Sequence, residues 1–417
     1  MMISTLALSR KDSFLDFYQI VLAIIAILLF FTNLDLYLYI AGIIPYPPTI
    51  LIFGYALFSL PVVFSKYSSL PRYFIFWAIA FISISSLSLL IFDNSRVSYP
   101  IAFQEFRLRI LSTIFLGLMI VVFSKDGVIQ KWVKKAILLA VILAVFNNIY
   151  DFFHPFVFCS CNLGRPAGLY INPNQSGYSL VLGMIFSIGV VKPKYRFYFW
   201  LFVGIGLILT LSRSAIIGYL FVTLLLAKEK KLVIYWKSTL VLISLLLITY
   251  LIFYLGNLGS NGIKLTEVGN INSFYDYSIS VRMEWLNNPF LLDESDSLRS
   301  RVIELGWIMF LQHPLFGNGL GSTLDWQEIV STHNMYLYYM VDHGIIGIFI
   351  FPILIWVVTK HARGEARFIG LLFTTLMLFL GLFSHNLLTE RYVLIGFALM
   401  SAMNSNSHRT ISKHLYR

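Results

Sequence analysis

Residues 333–358 read HNMYLYYMVDHGIIGIFIFPILIWVV. The run contains no lysine or arginine, and Asp342 is its one carboxylate. It is longer than the roughly 20 mostly apolar residues that a helix needs to cross a bilayer. It does not alternate apolar and polar positions, as a barrel strand of about 10 residues would. The basic residues Lys360, Arg363 and Arg367 follow it, and the acidic residues Asp325 and Glu328 precede it. This asymmetry is the signature of a membrane-spanning helix whose far end lies in the cytoplasm.

Reading outward from that run, eleven further apolar stretches recur. The twelve expected spans are 17–36, 47–65, 73–92, 104–123, 133–153, 173–191, 196–210, 212–227, 238–256, 333–358, 368–385 and 388–404. Composition agrees. Of the 417 residues, 58% are hydrophobic and 12% are charged, against about 25% charged in ordinary soluble domains. The sequence therefore predicts an all-α polytopic membrane protein of about twelve transmembrane helices. The apolar excess excludes a disordered chain. The net charge of +11 follows membrane topology, so nucleic acid is not an expected partner. Met1–Lys11 leads into the first span without an A-x-A-like cleavage site, so no cleaved signal peptide is expected.

Sorting the 31 lysines and arginines by these spans puts 21 on the side that holds both termini and 10 on the other. Acidic residues run the other way, 5 against 15. Basic residues close to helix ends mark the cytoplasmic side, so both termini are expected inside. Residues 257–332 then form one large outer loop, and connections of that length usually carry function. Within it, Leu298, Val302, Leu305 and Phe310 predict an amphipathic helix over Ser297–Gln312.

Nine of the ten outer basic residues are arginines: Arg96, Arg107, Arg109, Arg165, Arg213, Arg282, Arg299, Arg301 and Arg391; the tenth is Lys264. A guanidinium grips phosphate oxygens with two parallel bonds. An arginine-rich outer face therefore points to an anionic ligand, a lipid phosphate above all. Arg213 lies between two apolar runs with almost no loop, where an ionisable side chain is functional by default, although snorkelling to headgroups would also place it there. Arg165 opens RPAGLYINPN at 165–174, an irregular turn before a helix that Asn172-Pro173 should start. Residues 299–321 run from Arg299-Ser300-Arg301 to HPLFGNGLG, whose glycines permit close backbone approach. His333 and Asn334 open the tenth span. His343 stands ten residues further on, about 15 Å along a helix, so the two histidines cannot share a metal. His385 reads as a structural histidine. Cys159 and Cys161 form a C-x-C whose pairing would close a strained loop. No nucleotide, cofactor or metal motif stands out.

Taken together, four stretches resemble the O-antigen ligase and polymerase superfamily of bacterial envelope proteins: Arg165–Asn174, Leu211–Ala215, Arg299–Gly321 and residues 332–347. The resemblance is strongest over 160–350. It implies a GT-C-like glycosyltransferase of the inner membrane, metal-independent and without cofactor, working on the periplasmic face. Residues 1–159 would be N-terminal helices, 160–404 the catalytic region and 405–417 a cytoplasmic tail. The implied donor is an undecaprenyl-diphosphate-linked glycan, and the acceptor a lipid-linked repeat (polymerase) or lipid A core (ligase). Membrane lipids, a chain-length regulator and a flippase are implied partners. The family's functional arginines fall on Arg165, Arg213 and Arg299 or Arg301, and its histidine on His333. Arg301 to Gly317 has the R-x15-G spacing of polymerases; Arg165 lacks it, because position 181 is Val181.

The inventory suits that chemistry. A departing diphosphate needs positive charge rather than a strong acid, and the attacking hydroxyl needs a base, for which His333 serves and beside which Asn334 orients the sugar. Attack opposite the leaving group inverts the anomeric centre. Arg165, Arg213 and Arg299 or Arg301 are expected to converge on one outward-facing donor site. No carboxylate pair at glycosidase spacing argues for hydrolysis. A transporter would account for the spans, but it would place polar groups at mid-membrane in broken helices, whereas the interiors of the expected spans read as nearly uncharged. A SEDS-type peptidoglycan polymerase is the third reading.

Overall fold

The computed structural model describes residues 2–90, 97–124, 127–154, 156–159, 165–232, 294–326 and 331–415. The expected ninth span at 238–256, the loop segment 257–293, Arg96, Cys161, Lys264 and Arg282 lie outside the described residues. Cys159 is disulfide-bonded. Every regular element among the described residues is helical, and none of them forms a strand.

Six helices among the described residues are long and apolar enough to span a membrane: Phe14–Phe31, Pro48–Ser69, Arg72–Leu90, Tyr99–Phe123, Gly127–Phe153 and Met335–Thr359. The α-helices are α1 (Met2–Ala26), α2 (Leu34–Ile40), α3 (Pro48–Lys66), α4 (Arg72–Leu90), α5 (Tyr99–Phe123), α6 (Gly127–Phe153), α7 (Pro173–Ser187), α8 (Arg196–Leu209), α9 (Arg213–Lys228), α10 (Glu294–Gln312), α11 (Met335–His343), α12 (Ile350–Thr359), α13 (Glu365–Leu380) and α14 (Arg391–Leu415). The expected loop helix is present as α10. Asn172 caps α7 by accepting from Asn174 N, and Pro173 occupies the first turn, where no N–H is needed.

The chain forms two compact units. One comprises Met1–Ala140 with Leu292–Arg417, and the other Val141–Leu291. In the first unit, α5 and α14 carry the core. Phe30 packs edge-on against Phe115 at 5.3 Å, and Phe373 against Phe397 at 5.0 Å. Helix α3 keeps Phe53, Leu57, Phe58 and Phe64 exposed, a surface that suits acyl chains and not water. In the second unit α7 is buried along most of its length. A Cβ on Gly177 would strike Ala215 of α9, and one on Gly206 would strike Val145. Close helix approach through small residues is how helices associate where lipid removes the hydrophobic drive.

The tenth span is not one helix. Helix α11 stops at His343, a 3-10 segment covers Gly344–Phe349, and α12 resumes at Ile350. The loop 313–321 fills the break. Asn318 N donates to Val341 O at 2.7 Å, and Ile345 N donates to Pro314 O at 2.8 Å, so the backbone groups freed by the break are paired, as they must be at membrane depth. This docking explains Gly317 of HPLFGNGLG and Gly344 across from it. Gly317 (φ 76°) has no room for a Cβ against the carbonyl of Asp342, and Gly344 (φ 69°) has none against that of Leu315. Gly317→Ala is expected to lower stability by at least about 2 kcal/mol, from a left-handed backbone plus a backbone clash. Gly42→Ala, also left-handed (φ 68°) but with nothing within 4 Å of a Cβ, should cost only about 1 kcal/mol. Thermal unfolding of the two purified variants in one detergent measures the difference.

Candidate functional site

In the second unit, the turn that carries Arg165 is held from beneath. Asp151 Oδ2 accepts from Ala167 N at 2.8 Å and from Gly168 N at 3.0 Å. Arg165 then reaches the α8–α9 connection. Its Nε and Nη2 donate to Thr210 O at 3.2 and 3.0 Å, and Nη2 also donates to Asn174 Oδ1 at 3.3 Å. Three residues beyond Thr210, Arg213 is the first residue of α9 and is half-buried. Arg165 and Arg213 are thus brought to the same end of the α8–α9 hairpin. The Ser212 hydroxyl between them is buried and makes no hydrogen bond among the described residues.

In the first unit, His333 is half-buried immediately before α11. Asn334, not His333, caps the helix: its Oδ1 accepts from Tyr336 N at 3.0 Å and Leu337 N at 3.1 Å. The His333 ring packs edge-on against His385 at 5.6 Å, and His385 packs against Tyr338 at 5.7 Å. His385 follows the end of α13 at Leu380, and its Nδ1 is buried with no partner among the described residues. Burial, followed by the positive charge of Arg299, lowers the pKa of His333. The His333 ring is therefore neutral at pH 7, in the form that accepts a proton. Arg299 is half-buried, whereas Arg301 is exposed.

His333 sets a pH dependence. A base whose folded pKa is depressed binds fewer protons folded than unfolded, so it contributes stability above its unfolded pKa that is lost as the pH falls. The contribution of His333 is expected to be lost as the pH falls below about 6.5. Thermal unfolding of the wild type against His333→Gln from pH 7 to pH 5 measures this, and the variant should show a flatter profile.

Two outer arginines do not serve an anion as the sequence suggested. Arg109 is 2% exposed and forms an ion pair with Asp342 on α11. Arg391 pairs with Asp35 at 2.9 Å and donates to Asn33 at 2.8 Å. Charge therefore does enter the interior of the expected spans, between α5 and α11, and the tenth span is broken. Both corrections remove the contrast with transporters that the sequence alone offered.

Left-handed backbone at a non-glycine residue is uncommon. Among the described residues it occurs at Asn33, Phe156, Ile171 (φ 64°), Leu211 (φ 52°), Lys230 and His333 (φ 50°); Ile171, Leu211 and His333 fall inside stretches that carry the resemblance, and the other three do not. The remaining stretch has Gly317, Gly319 and Gly321 in positive φ.

Residues 197–352 match the O-antigen ligase family. The match supports the resemblance to the O-antigen ligase-like superfamily read from the sequence, whose members are glycosyltransferase-like membrane enzymes, ligases or polymerases. The matched segment contains Arg213, Arg299, Arg301, His333 and Asn334, and it begins after Arg165. Comparison with curated proteins finds no matching relative.

Proposed function

We propose that this protein transfers a glycan from undecaprenyl diphosphate to a sugar hydroxyl on the periplasmic face of the bacterial inner membrane, with both termini in the cytoplasm. The observation that carries the reading is His333: a neutral imidazole, in a left-handed backbone conformation, under the charge of Arg299 and inside the O-antigen ligase segment. The acceptor oxygen attacks the anomeric carbon as the bond to the diphosphate oxygen breaks, and configuration inverts. The hydroxyl proton passes to His333, and undecaprenyl diphosphate leaves with the bonding pair. Arg165, Arg213 and Arg299 are the arginines assigned to neutralise the diphosphate as its charge grows. Arg299 takes this role rather than Arg301 because its charge acts on His333. Asn334 orients the acceptor through its amide nitrogen, since its oxygen is committed to the cap.

The R-x15-G spacing from Arg301 to Gly317 leans toward a repeat-unit polymerase working with a chain-length regulator and a flippase. The second reading, an O-antigen ligase acting on lipid A core, draws on the family of the matched segment. A deletion strain separates them: single-repeat glycan on lipid A core marks a polymerase, and long chains left on undecaprenyl lipid mark a ligase. Arg213→Lys tests the chemistry. Lysine keeps the charge but loses the planar fork, so transfer should fall at least about 10-fold, equivalent to about 1.4 kcal/mol. A fully active Arg213→Ala protein contradicts the assignment.

A further inference from the structure

Outside the groups used above, the first unit holds a polar chain that ends in a cavity. The buried Arg109 Nη1 is hydrogen-bonded to His343 Nε2, and His343 Nδ1 lies 2.8 Å from Ser88 Oγ. An arginine has no acceptor, so Nε2 must accept. That fixes the tautomer: the ring is neutral, Nδ1 carries the proton, and Ser88 Oγ accepts it. The Ser88 O–H proton is then left to donate elsewhere, and it meets no further partner among the described residues. Arg109 is held in place by Asp342 and stands 5.1 Å over the Tyr339 ring. A chain of hydrogen bonds polarised by a buried cation makes its terminal hydroxyl a stronger donor than an isolated serine.

Ser88 lines a cavity of about 650 Å³ between α4, the 313–319 loop and the break after α11. Its rim is apolar and exposed, with Leu87 55%, Leu315 67%, Phe316 76% and Ile346 54% exposed. Leu87 and Ile346 lie on candidate membrane spans, Arg72–Leu90 and Met335–Thr359, where exposed apolar side chains meet lipid; Leu315 and Phe316 of the 313–321 loop continue the apolar rim beside them. Gln312, His313 and Asn318 also line the cavity, so it offers a polarised Ser88 hydroxyl in a partly polar pocket that opens on an apolar rim.

We propose that this cavity is a lipid-binding site, in which Ser88 donates to a phosphate or ester oxygen of a bilayer lipid while its chains lie along Leu87, Leu315, Phe316 and Ile346. The site uses none of the residues assigned to glycan transfer, so it stands or falls separately from that reading. The occupant is a glycerophospholipid, whose ester and phosphate oxygens accept from Ser88 while its two acyl chains cover the apolar rim.

The test is photo-crosslinking of the full chain in vesicles that contain a phosphatidylethanolamine with a diazirine near its ester group. Labelling is expected on peptides spanning Leu87 or 313–319. Ser88→Ala should reduce it about 10-fold, equivalent to the loss of about 1.4 kcal/mol, and Ser88→Leu, which fills the opening, should abolish it. Ser86→Ala, whose hydroxyl bonds Ile82 O within the same helix, should label as the wild type does. Leu87→Trp narrows the cavity from its rim and should also cut labelling, which keeps the test valid if a Ser88 variant fails to fold. Competition by unlabelled phosphatidylethanolamine supports the proposal, and competition by undecaprenyl phosphate without competition by phosphatidylethanolamine would overturn it. Label on other helices, labelling indifferent to Ser88→Ala, Ser88→Leu and Leu87→Trp, or competition by inorganic phosphate alone would overturn the proposal.

Discussion

His333→Ala is expected to fold, to bind lipid-linked donor, and to transfer glycan about 10²–10⁴-fold more slowly, the usual cost of losing a general base. The expectation rests on three features of the residue. His333 is neutral at pH 7, because burial and Arg299 lower its pKa. It makes no hydrogen bond that would hold it as a helix cap, since Asn334 does the capping. It sits in a left-handed conformation (φ 50°) at the head of a helix whose other end is clamped by Arg109. Rate against pH should rise through a midpoint below 6.5 and level off at neutrality, because protonation removes the acceptor. Turnover and donor binding measured on one purified preparation decide the matter. Near-normal turnover removes His333 from the mechanism, and lost donor binding moves it to the diphosphate side.

The second large effect concerns stability. Asp342→Ala leaves Arg109 buried at 2% exposure without its carboxylate, and breaking a buried pair from one side typically costs about 3–5 kcal/mol. Asp342→Asn, which keeps the shape but not the charge, should be nearly as damaging. The paired change Arg109→Met with Asp342→Leu should recover much of the loss, because apolar residues of similar volume often replace buried pairs at little cost. The comparison is a thermal unfolding series in one detergent. Simple additivity of the two single changes would show that Arg109 and Asp342 do not act as a pair.

What could be read in the sequence depended on the range of the interaction. Local signals carried the Asn172-Pro173 start of α7, the loop helix α10 and the six long apolar helices, which all follow from residues within one or two turns of each other. The break in the tenth span had a local signal too: Asp342-His343-Gly344 interrupts an otherwise apolar run, and Gly347 follows one turn later. Hydrophobicity alone does not reveal it. Long-range pairing was not legible. Arg109 and Asp342 lie 233 residues apart, so an arginine placed on the outer edge by charge sorting turned out to be the partner of a carboxylate on α11. For the same reason only the fold shows that the His385 ring meets His333, across 52 residues. The four motif stretches were found as strings, but the physical property they share, a left-handed residue in each, belongs to the backbone and leaves no trace in composition except at glycine.

The central claim is that glycan transfer is driven by loss of a polyprenyl diphosphate. Its most direct measurement is a reconstituted assay in which purified protein in vesicles receives undecaprenyl-diphosphate-linked repeat units, with released undecaprenyl diphosphate and transferred glycan quantified together. The account predicts release of one diphosphate carrier for each glycan transferred, without added metal or nucleotide, and the loss of both signals together in His333→Ala and Arg213→Lys. Movement of intact lipid-linked glycan across the vesicle membrane, with no carrier released, would contradict it.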